Sequence, residues 1–413
     1  MLDINKIREQ KEIIKKALLK RMEKDNLDLD LIIKIDNRRR ELLKESESLK
    51  AERNKFSKSK PDQEIISNMK KIGEKIRQLD DEINSIEAEL KNKLSSLPNI
   101  PADDVLPGGK ENNEIIKVFK EKPAFKFKAK DHYELATSLG IIDYERAAKM
   151  SGTGFWCYKG QGAILEWALL SYFVKFHQQN GYIFMIPPFL LTEQSAYTSG
   201  HLPKFRDDLF WTQDKTCLNA TSEMMLGNYH REEVLKEEDL PLKYAAYSAC
   251  FRREAGSYRK EERGMIRGHQ FNKIEMFHYA KPNQSWDSFD ELVKNAEKLV
   301  EGLGLHYQSV KLAAGDASAA MAKTIDIEVW IPSMEIYKEV SSVSNALDYQ
   351  ARRGNIRYKS KETKKNEFVH TLNASGLATS RLLPAILEHF QNEDGSINVP
   401  EVLQGFCDFK KII

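Results

Sequence analysis

The sequence predicts an α+β protein in two parts: an N-terminal antiparallel two-helix coiled-coil arm, then a larger domain of strands and helices. Three observations carry this. Residues 28 to 97 are rich in charge and poor in aromatics, with apolar residues in heptad spacing. Pro and Gly then cluster in "LPNIPADDVLPGGKENNE", residues 97 to 114, which marks a boundary near residue 100. After it, short β-rich runs and turns alternate with helical stretches such as "AILEWALLSYFVKF", as in an α+β domain. The expected domains are therefore 1–100 and 101–413.

The second helix of the arm has the clearer signature. Its apolar residues fall at Ile65, Met69, Ile72, Ile76, Leu79, Ile83, Ile86 and Leu90, in alternating steps of four and three. The first helix offers Ile32, Ile35, Leu42, Leu49 and Phe56, but Arg39, Ser46 and Arg53 occupy the intervening seam positions. Such a seam is either partly exposed or in a polar register. "SKSKPDQE" separates the two, with Ser59 to Asp62 able to turn the chain and Pro61 suited to open the next helix. Helices of roughly 30 residues would be about 45 Å long. Near the turn, Lys50, Arg53, Lys55, Lys58 and Lys60 face a single acid, Glu52. These charges are either a solvated helix end or a contact for nucleic-acid phosphates.

Composition narrows the class. With 64 basic and 62 acidic residues in 413 the charges nearly cancel, so a nucleic-acid surface must be local. Cys157, Cys217, Cys250 and Cys407 lie far apart without a C-x-x-C pair, which argues against a disulfide framework and a four-cysteine zinc site. The charged start "MLDINKIREQKEIIKK" has no apolar signal region, and "YIFMIPPFLL" is too short to span a bilayer. A cytoplasmic protein is expected.

The most informative stretch is "FRREAGSYRKEERGMIRGHQFNKIEMF", residues 251 to 277. Its flanks alternate as two antiparallel strands would, around Gly256, Ser257 and Gly264. Period two places Arg267, His269, Phe271, Lys273 and Glu275 on one side, against Ile266, Gly268, Ile274 and Met276 on the other. Three more segments hold polar residues where a plain core would not. "LNATSEMMLGN" puts Thr221 and Glu223 on one face of a short element. "DIEVWIPSMEIYKEVSSVSN" sets Glu339, Ser341 and Ser342 directly after an apolar strand, and small residues of "NASGLATSRLLPAILEHFQ" precede a helix bearing Arg381. Singly these have plain readings: helix caps for Glu339 and Ser342, a surface charge beside Glu388 for Arg381, a packed ring for Phe271.

Their order changes the weighing. "FRREAG…RGMIRGHQFNKIE", "YKEVSSVSN…YQARR" and "SGLATSRLLPAILEHFQ…GSINVPEVL", with "GYIFMIPPFLL" around Pro187 and then "GHLPKF", resemble class II aminoacyl-tRNA synthetases, and more narrowly the bacterial-type seryl-tRNA synthetases. The resemblance covers essentially the whole chain and implies a class II synthetase antiparallel β-sheet catalytic domain flanked by helices. It implies that Arg252 holds the α-phosphate and the substrate carboxylate, Glu254 the adenine amino group, and that Phe271 stacks under adenine. Arg381 would hold the far end of the triphosphate, with Glu339 and Ser342 meeting Mg2+ and the phosphates. Arg253, Arg267, Gly268, His269, Gln270, Val340 and Ser341 complete the implied ATP site. For serine it implies Thr221, Ser222 and Glu223 with Arg252 at the amino-acid backbone, and Glu275, Asn373 and Ser375 around the side chain.

Those residue types suit the chemistry. A carboxylate attacking an α-phosphorus brings negative charge onto negative charge, and guanidinium forks with magnesium offset the repulsion. No protein nucleophile is required. A carboxylate such as Glu275 rejects alanine because that ligand leaves it unpaired, by as much as ~10⁴-fold. The sequence lacks a plausible Cys/His cluster, so no zinc is expected.

Two places depart from the family. Ala220, Thr221, Ser222, Glu223 stand where Pro-Thr-Ala-Glu is usual, and Arg259, Lys260, Glu261, Glu262 where Gly, Arg, Asp and Thr are frequent. The resemblance implies a homodimer that uses ATP and serine and charges tRNA(Ser), and tRNA(Sec) where one exists, with tRNA bound across subunits. The competing reading is a synthetase-derived protein that activates an amino acid for a non-tRNA acceptor or is regulatory; such relatives commonly discard the arm that this chain keeps. A purely structural coiled-coil protein would explain residues 28 to 97 and nothing after them.

Overall fold

The computed structural model describes residues 1–56, 63–254 and 264–413, without the side chains of Phe56 and Ile65. The turn at Ser59–Asp62, the tip residues Lys58 and Lys60, and Arg259 to Glu262 lie outside the described residues. The chain divides into two compact units, Met1–Ile100 and Pro101–Ile413, within the Pro- and Gly-rich run.

In the first unit, helices α1 (Leu29–Phe56) and α2 (Gln63–Ser96) pack along their seams. Arg38 pairs with Glu82 and Glu45, further along α1, with Lys75, so positions rise on one helix as they fall on the other. The pair is antiparallel. Ile76, Leu79, Ile83 and Leu90 are buried on α2 and Ile32, Ile35 and Leu42 on α1, with Leu42 clustered on Leu79 and Ile83, whereas Met69, Ile72 and Ile86 are half-buried. The weaker seam of α1 proves to be a polar register: Ser46 is buried and donates to Asp80 Oδ1 at 2.9 Å, where Lys50 Nζ also arrives at 2.8 Å.

Asp36 closes the other end. It is fully buried between Arg39 at 2.8 Å and Arg8 at 3.3 Å, the latter on the short helix Ile4–Glu9. Removing one partner of a buried ion pair strands the remaining charge. Asp36→Ala is expected to cost the arm ~3 kcal/mol in urea unfolding followed by circular dichroism. A loss of only ~0–1 kcal/mol would show an ordinary surface pair.

The second unit is built on an eight-stranded sheet. In chain order the strands are β1 (Glu114–Phe119), β2 (Ile183–Met185), β3 (Leu242–Phe251), β4 (Gln270–Ala280), β5 (Tyr307–Lys311), β6 (Lys323–Ile331), β7 (Ile336–Leu347) and β8 (His370–Ala378). Their spatial order is β1-β5-β6-β7-β8-β4-β3-β2, antiparallel throughout except for β2 beside β3. Helices α3 (Gln161–Gln179), α4 (Ser285–Leu303) and α5 (Thr379–His389) cover one face. Leu165, Leu169, Phe289, Leu292, Leu382 and Ile386 pack there against Ile274, Met276, Ile325, Ile327 and Leu372. Alternation then sends Phe271, Lys273 and Glu275 to the opposite face.

Two expectations are corrected. The second strand of the 251–277 pair begins at Gln270, not Ile266, so Arg267, Gly268 and His269 precede it. The ladder stops because the His269 N–H bonds the Gly154 carbonyl (3.0 Å), while its own carbonyl takes the Arg252 N–H. Glu339, Ser341 and Ser342 do not follow a strand but lie within β7. An apolar-to-polar switch there marks a change of face, not an end.

Candidate functional site

The open face of the sheet carries three adjoining cavities, each lined by Arg252, of about 150, 510 and 40 Å³. Arg252 follows directly on β3. Its Nε donates to the Ala220 carbonyl at 3.3 Å, and its guanidinium lies 5.1 Å from the Phe271 ring centre. Glu254, two residues on, has a left-handed backbone (φ 49°), an uncommon conformation for a non-glycine residue that aims its carboxylate toward Arg267 at 3.5 Å. Gly268 must lack a side chain, since a Cβ there would come within 2.1 Å of the Trp156 ring.

The far wall depends on a bulge. Ser342 pairs with Asp326 and Glu339 with Glu328, but the register slips by one residue between them. Without that slip, residues 339 and 342 would point to opposite faces. With it, both face the cavity, while Ser341 is fully buried and Val340 packs in the core at the edge of the smallest cavity. Arg381, in the first turn of α5, donates to the Glu339 carbonyl at 2.7 Å and lies 3.5 Å from its carboxylate.

The smaller polar cavity lies beyond Arg252. Glu275, almost fully buried on β4, pairs with Lys273 and accepts from Asn373 Nδ2 at 3.1 Å. Lys273 Nζ also donates to Thr221 Oγ1 at 2.6 Å. Glu223 accepts from Gln350 Nε2 at 2.7 Å, and Thr371 orients that amide by donating to Gln350 Oε1 at 2.7 Å. Burial, and then the charge of Glu275, push the Glu223 carboxyl up to about 7. Ser375 lines both this cavity and the one under Phe271.

The structure thus gathers Thr221, Glu223, Arg252, Glu254, Arg267, Gly268, Phe271, Glu275, Glu339, Val340, Ser342, Asn373, Ser375 and Arg381 around contiguous space. Five expected residues do not line it. Arg253 bonds the carbonyls of Asp207 and Asp208, and Gln270 is exposed. His269 Nδ1 donates to the Arg252 carbonyl at 3.0 Å, so it steadies the neighbouring arginine. Ser222 donates to Ser248 at 2.7 Å, and Ser341 to the Ser375 carbonyl at 2.6 Å, both fully buried. Of the arm residues, Lys50 is engaged with Asp80, Arg53 is half-buried and Lys55 exposed.

Sequence reasoning assigned no role to Lys273, although its alternation with Phe271 and Glu275 was the available signal. It also missed His201, within "GHLPKF", which lines two cavities and is pushed down to about 3 by burial and by the charges of Arg252, Lys273 and Arg353. Gln350, reaching Glu223 across 127 residues, left no local trace.

An antiparallel sheet floored by Arg252, Glu254 and Phe271, with a helix-borne Arg381 closing the other end, defines a class II aminoacyl-tRNA synthetase core. The family described as "tRNA synthetase class II core domain (G, H, P, S and T)" matches residues 205–390, and "Seryl-tRNA synthetase N-terminal domain" matches residues 1–101. The chain belongs to the seryl-tRNA synthetase family. It is 54% identical to serine–tRNA ligase 2 of Clostridium acetobutylicum over 100% of both chains, and 45% identical to the serine–tRNA ligase of Geobacter sulfurreducens over 98% of both. Among solved structures, seryl-tRNA synthetase of Pyrococcus horikoshii complexed with ATP superposes with a TM-score of 0.93 at 34% identity, covering 100% of this chain and 99% of that one. The cytoplasmic serine–tRNA ligase of Naegleria fowleri in complex with AMP gives 0.88 at 31%, covering 100% and 98%.

Proposed function

We infer that the protein is a serine–tRNA ligase, which uses ATP to convert L-serine to seryl-adenylate and transfers serine to tRNA(Ser). The observation that carries the reading is the buried quartet Thr221, Glu223, Lys273 and Glu275 at the end of the Arg252 floor. Its cavity, about 150 Å³, suits a small polar amino acid. Glu223 and Thr221 take the ammonium group; Glu275, held by Lys273 and Asn373, accepts from the hydroxyl, with Ser375 beside it. Arg252 brings the serine carboxylate to the α-phosphate, where proximity and charge neutralisation supply most of the rate. Phe271 stacks with adenine, Glu254 takes its amino group, and Arg381 holds the distal phosphates. Arg267 and Arg381 already have carboxylates within 4 Å, so phosphates compete with Glu254 and Glu339 for these guanidiniums.

Mg2+ fits the Glu339–Ser342 wall. These are hard oxygen donors, and beside them Asp326 is buried with one carboxyl oxygen lacking a hydrogen-bond partner among the described residues. Burial and the charge of Glu339 hold Asp326 well above the usual carboxylate range, the mark of a wall short of positive charge. The ion would neutralise the β- and γ-phosphates; Glu339 and Ser342 would hold it.

For tRNA, the reading assigns the arm to the long variable arm of tRNA(Ser), contacted through phosphates and shape, and extends to tRNA(Sec) where one exists. A homodimer accords with exposed Ile164 and Trp167 on α3 and Ile183 and Ile186 at the sheet edge. A cytoplasmic site of action follows from the tRNA substrate; no helix among the described residues is long and apolar enough to cross a membrane.

Serine-dependent exchange of pyrophosphate into ATP, followed between pH 5.5 and 8.5, tests the assignment. Exchange with another amino acid and none with serine would overturn it. The ammonium group needs Glu223 ionised, and that carboxyl loses its proton near 7. The KM for serine should therefore be flat above that pH and rise below it, approaching tenfold per pH unit. A flat KM throughout would remove Glu223 from ammonium binding.

A further inference from the structure

One buried acid belongs to none of the roles above. Glu166 projects from α3 into the layer between helices and sheet and is 2% exposed. Its Oε1 accepts from Thr379 Oγ1 at 2.6 Å and from Asn272 Nδ2 at 2.8 Å. Asn272 lies in β4 between Phe271 and Lys273 and, by the pleat, points to the opposite face. Thr379 is the first residue of α5, two before Arg381, and its Oγ1 also lies 3.1 Å from the Asn272 carbonyl. A single oxygen of a helix outside the cavity therefore joins the strand carrying the stacking ring to the helix carrying the distal arginine.

Packing alone does not call for this. A buried carboxylate is costly unless its hydrogen bonds repay it, and a leucine would fill the space beside Leu165 and Leu169. We propose that Glu166 is a positioning residue for nucleotide binding: through Asn272 and Thr379 it sets the spacing between Phe271 and Arg381, and with it the fit of ATP. The inference rests on the serine–tRNA ligase reading and adds to it a residue that touches neither substrate.

The joint needs an acceptor at Oε1 rather than a charge, because both partners donate to that same oxygen. Burial raises the Glu166 carboxyl to about 7. From the elements packed against it, the titratable groups are Tyr158, on the short strand Cys157–Tyr158, and Tyr247 on β3, whose hydroxyl donates to Asn272 Oδ1 at 3.1 Å. Both phenols are pushed upward by burial and stay uncharged; β4 and α5 present Asn272 and Thr379, which do not titrate. Because a proton on Oε2 leaves Oε1 accepting both donors, kcat/KM for ATP at saturating serine should stay level as pH drops below about 7.

The test is exchange kinetics on Glu166→Ala, Glu166→Gln and Thr379→Val, with thermal unfolding of each. Glu166→Ala should lower kcat/KM for ATP by about 10- to 100-fold, mainly through KM, the range expected for misplaced binding groups. The KM for serine should stay within about twofold, since the quartet hangs on other contacts. Glu166→Gln should restore ATP use, because its amide oxygen accepts both donors and its nitrogen can donate to the neighbouring Tyr158 hydroxyl. Thr379→Val should reproduce the ATP defect, and it decides the matter if Glu166→Ala does not fold. Equal damage to both KM values, or a glutamine variant as defective as the alanine one, overturns the proposal. Absence of serine-dependent exchange in the unaltered protein would instead overturn the functional reading.

Discussion

Arg252→Ala is expected to lower serine-dependent pyrophosphate exchange by ~10³-fold or more while leaving the thermal midpoint nearly unchanged. The size follows from what the side chain does. Arg252 borders all three cavities, where amino acid and α-phosphate must meet, and one guanidinium fork can bridge two anions there. Its loss removes both the charge that offsets carboxylate–phosphate repulsion and the alignment of the attacking oxygen. Stability should survive because, among the described residues, no carboxylate pairs with this guanidinium, so none is stranded by its removal. The remaining contacts are a 3.3 Å bond to the Ala220 carbonyl and the Phe271 face. Arg252→Lys keeps the charge but not the fork, and should recover only a small part of the rate. If Arg252→Ala melts the second unit, the residue is a structural clamp and the assigned chemistry fails.

Deleting residues 30 to 95 should separate the two half-reactions. Adenylate formation is expected to stay within about twofold, because sites with no shared partners act independently. Aminoacylation of tRNA(Ser) should fall by ~10³-fold or more, as the phosphate contacts of a long basic-tipped arm are lost together. The division is reasonable because each unit has its own core: Leu42, Leu79 and Ile83 in the first, the helix-covered sheet in the second. The ends left by the cut are near one another, since α1 and α2 run antiparallel. Initial rates of pyrophosphate exchange and of [14C]serine incorporation into tRNA measure the two steps. Equal losses in both would contradict this division of labour. The charging defect should also depend on salt, with the intact enzyme losing its advantage as ionic strength rises.

Much of the site was legible before any coordinates. Strand alternation placed Phe271, Lys273 and Glu275 together, and the cavities hold all three near one another. The same rule failed at its edges. It carried β4 back to Ile266, because Arg267 and His269 continue the pattern although the ladder has ended. It also ended a strand before Glu339, because a one-residue bulge mimics a break in period. Both errors arise where hydrogen bonding departs from side-chain pattern.

The sequence by itself determined the arm's heptad seam, the strand-pair face and the ordered motif set, because each is a local repeat or a short run whose meaning lies within a few residues. Tertiary structure alone decided that Ser46 and Lys50 share Asp80, that Gln350 holds Glu223, that Glu339 and Ser342 face one way, and that Glu166 ties Asn272 to Thr379. These contacts link residues 30 to 213 positions apart, except for the bulge, which depends on the register of a neighbouring strand. No local propensity encodes such meetings; they exist only once the sheet, its covering helices and the seam have brought distant polar groups into a dry interior, where each must find a partner.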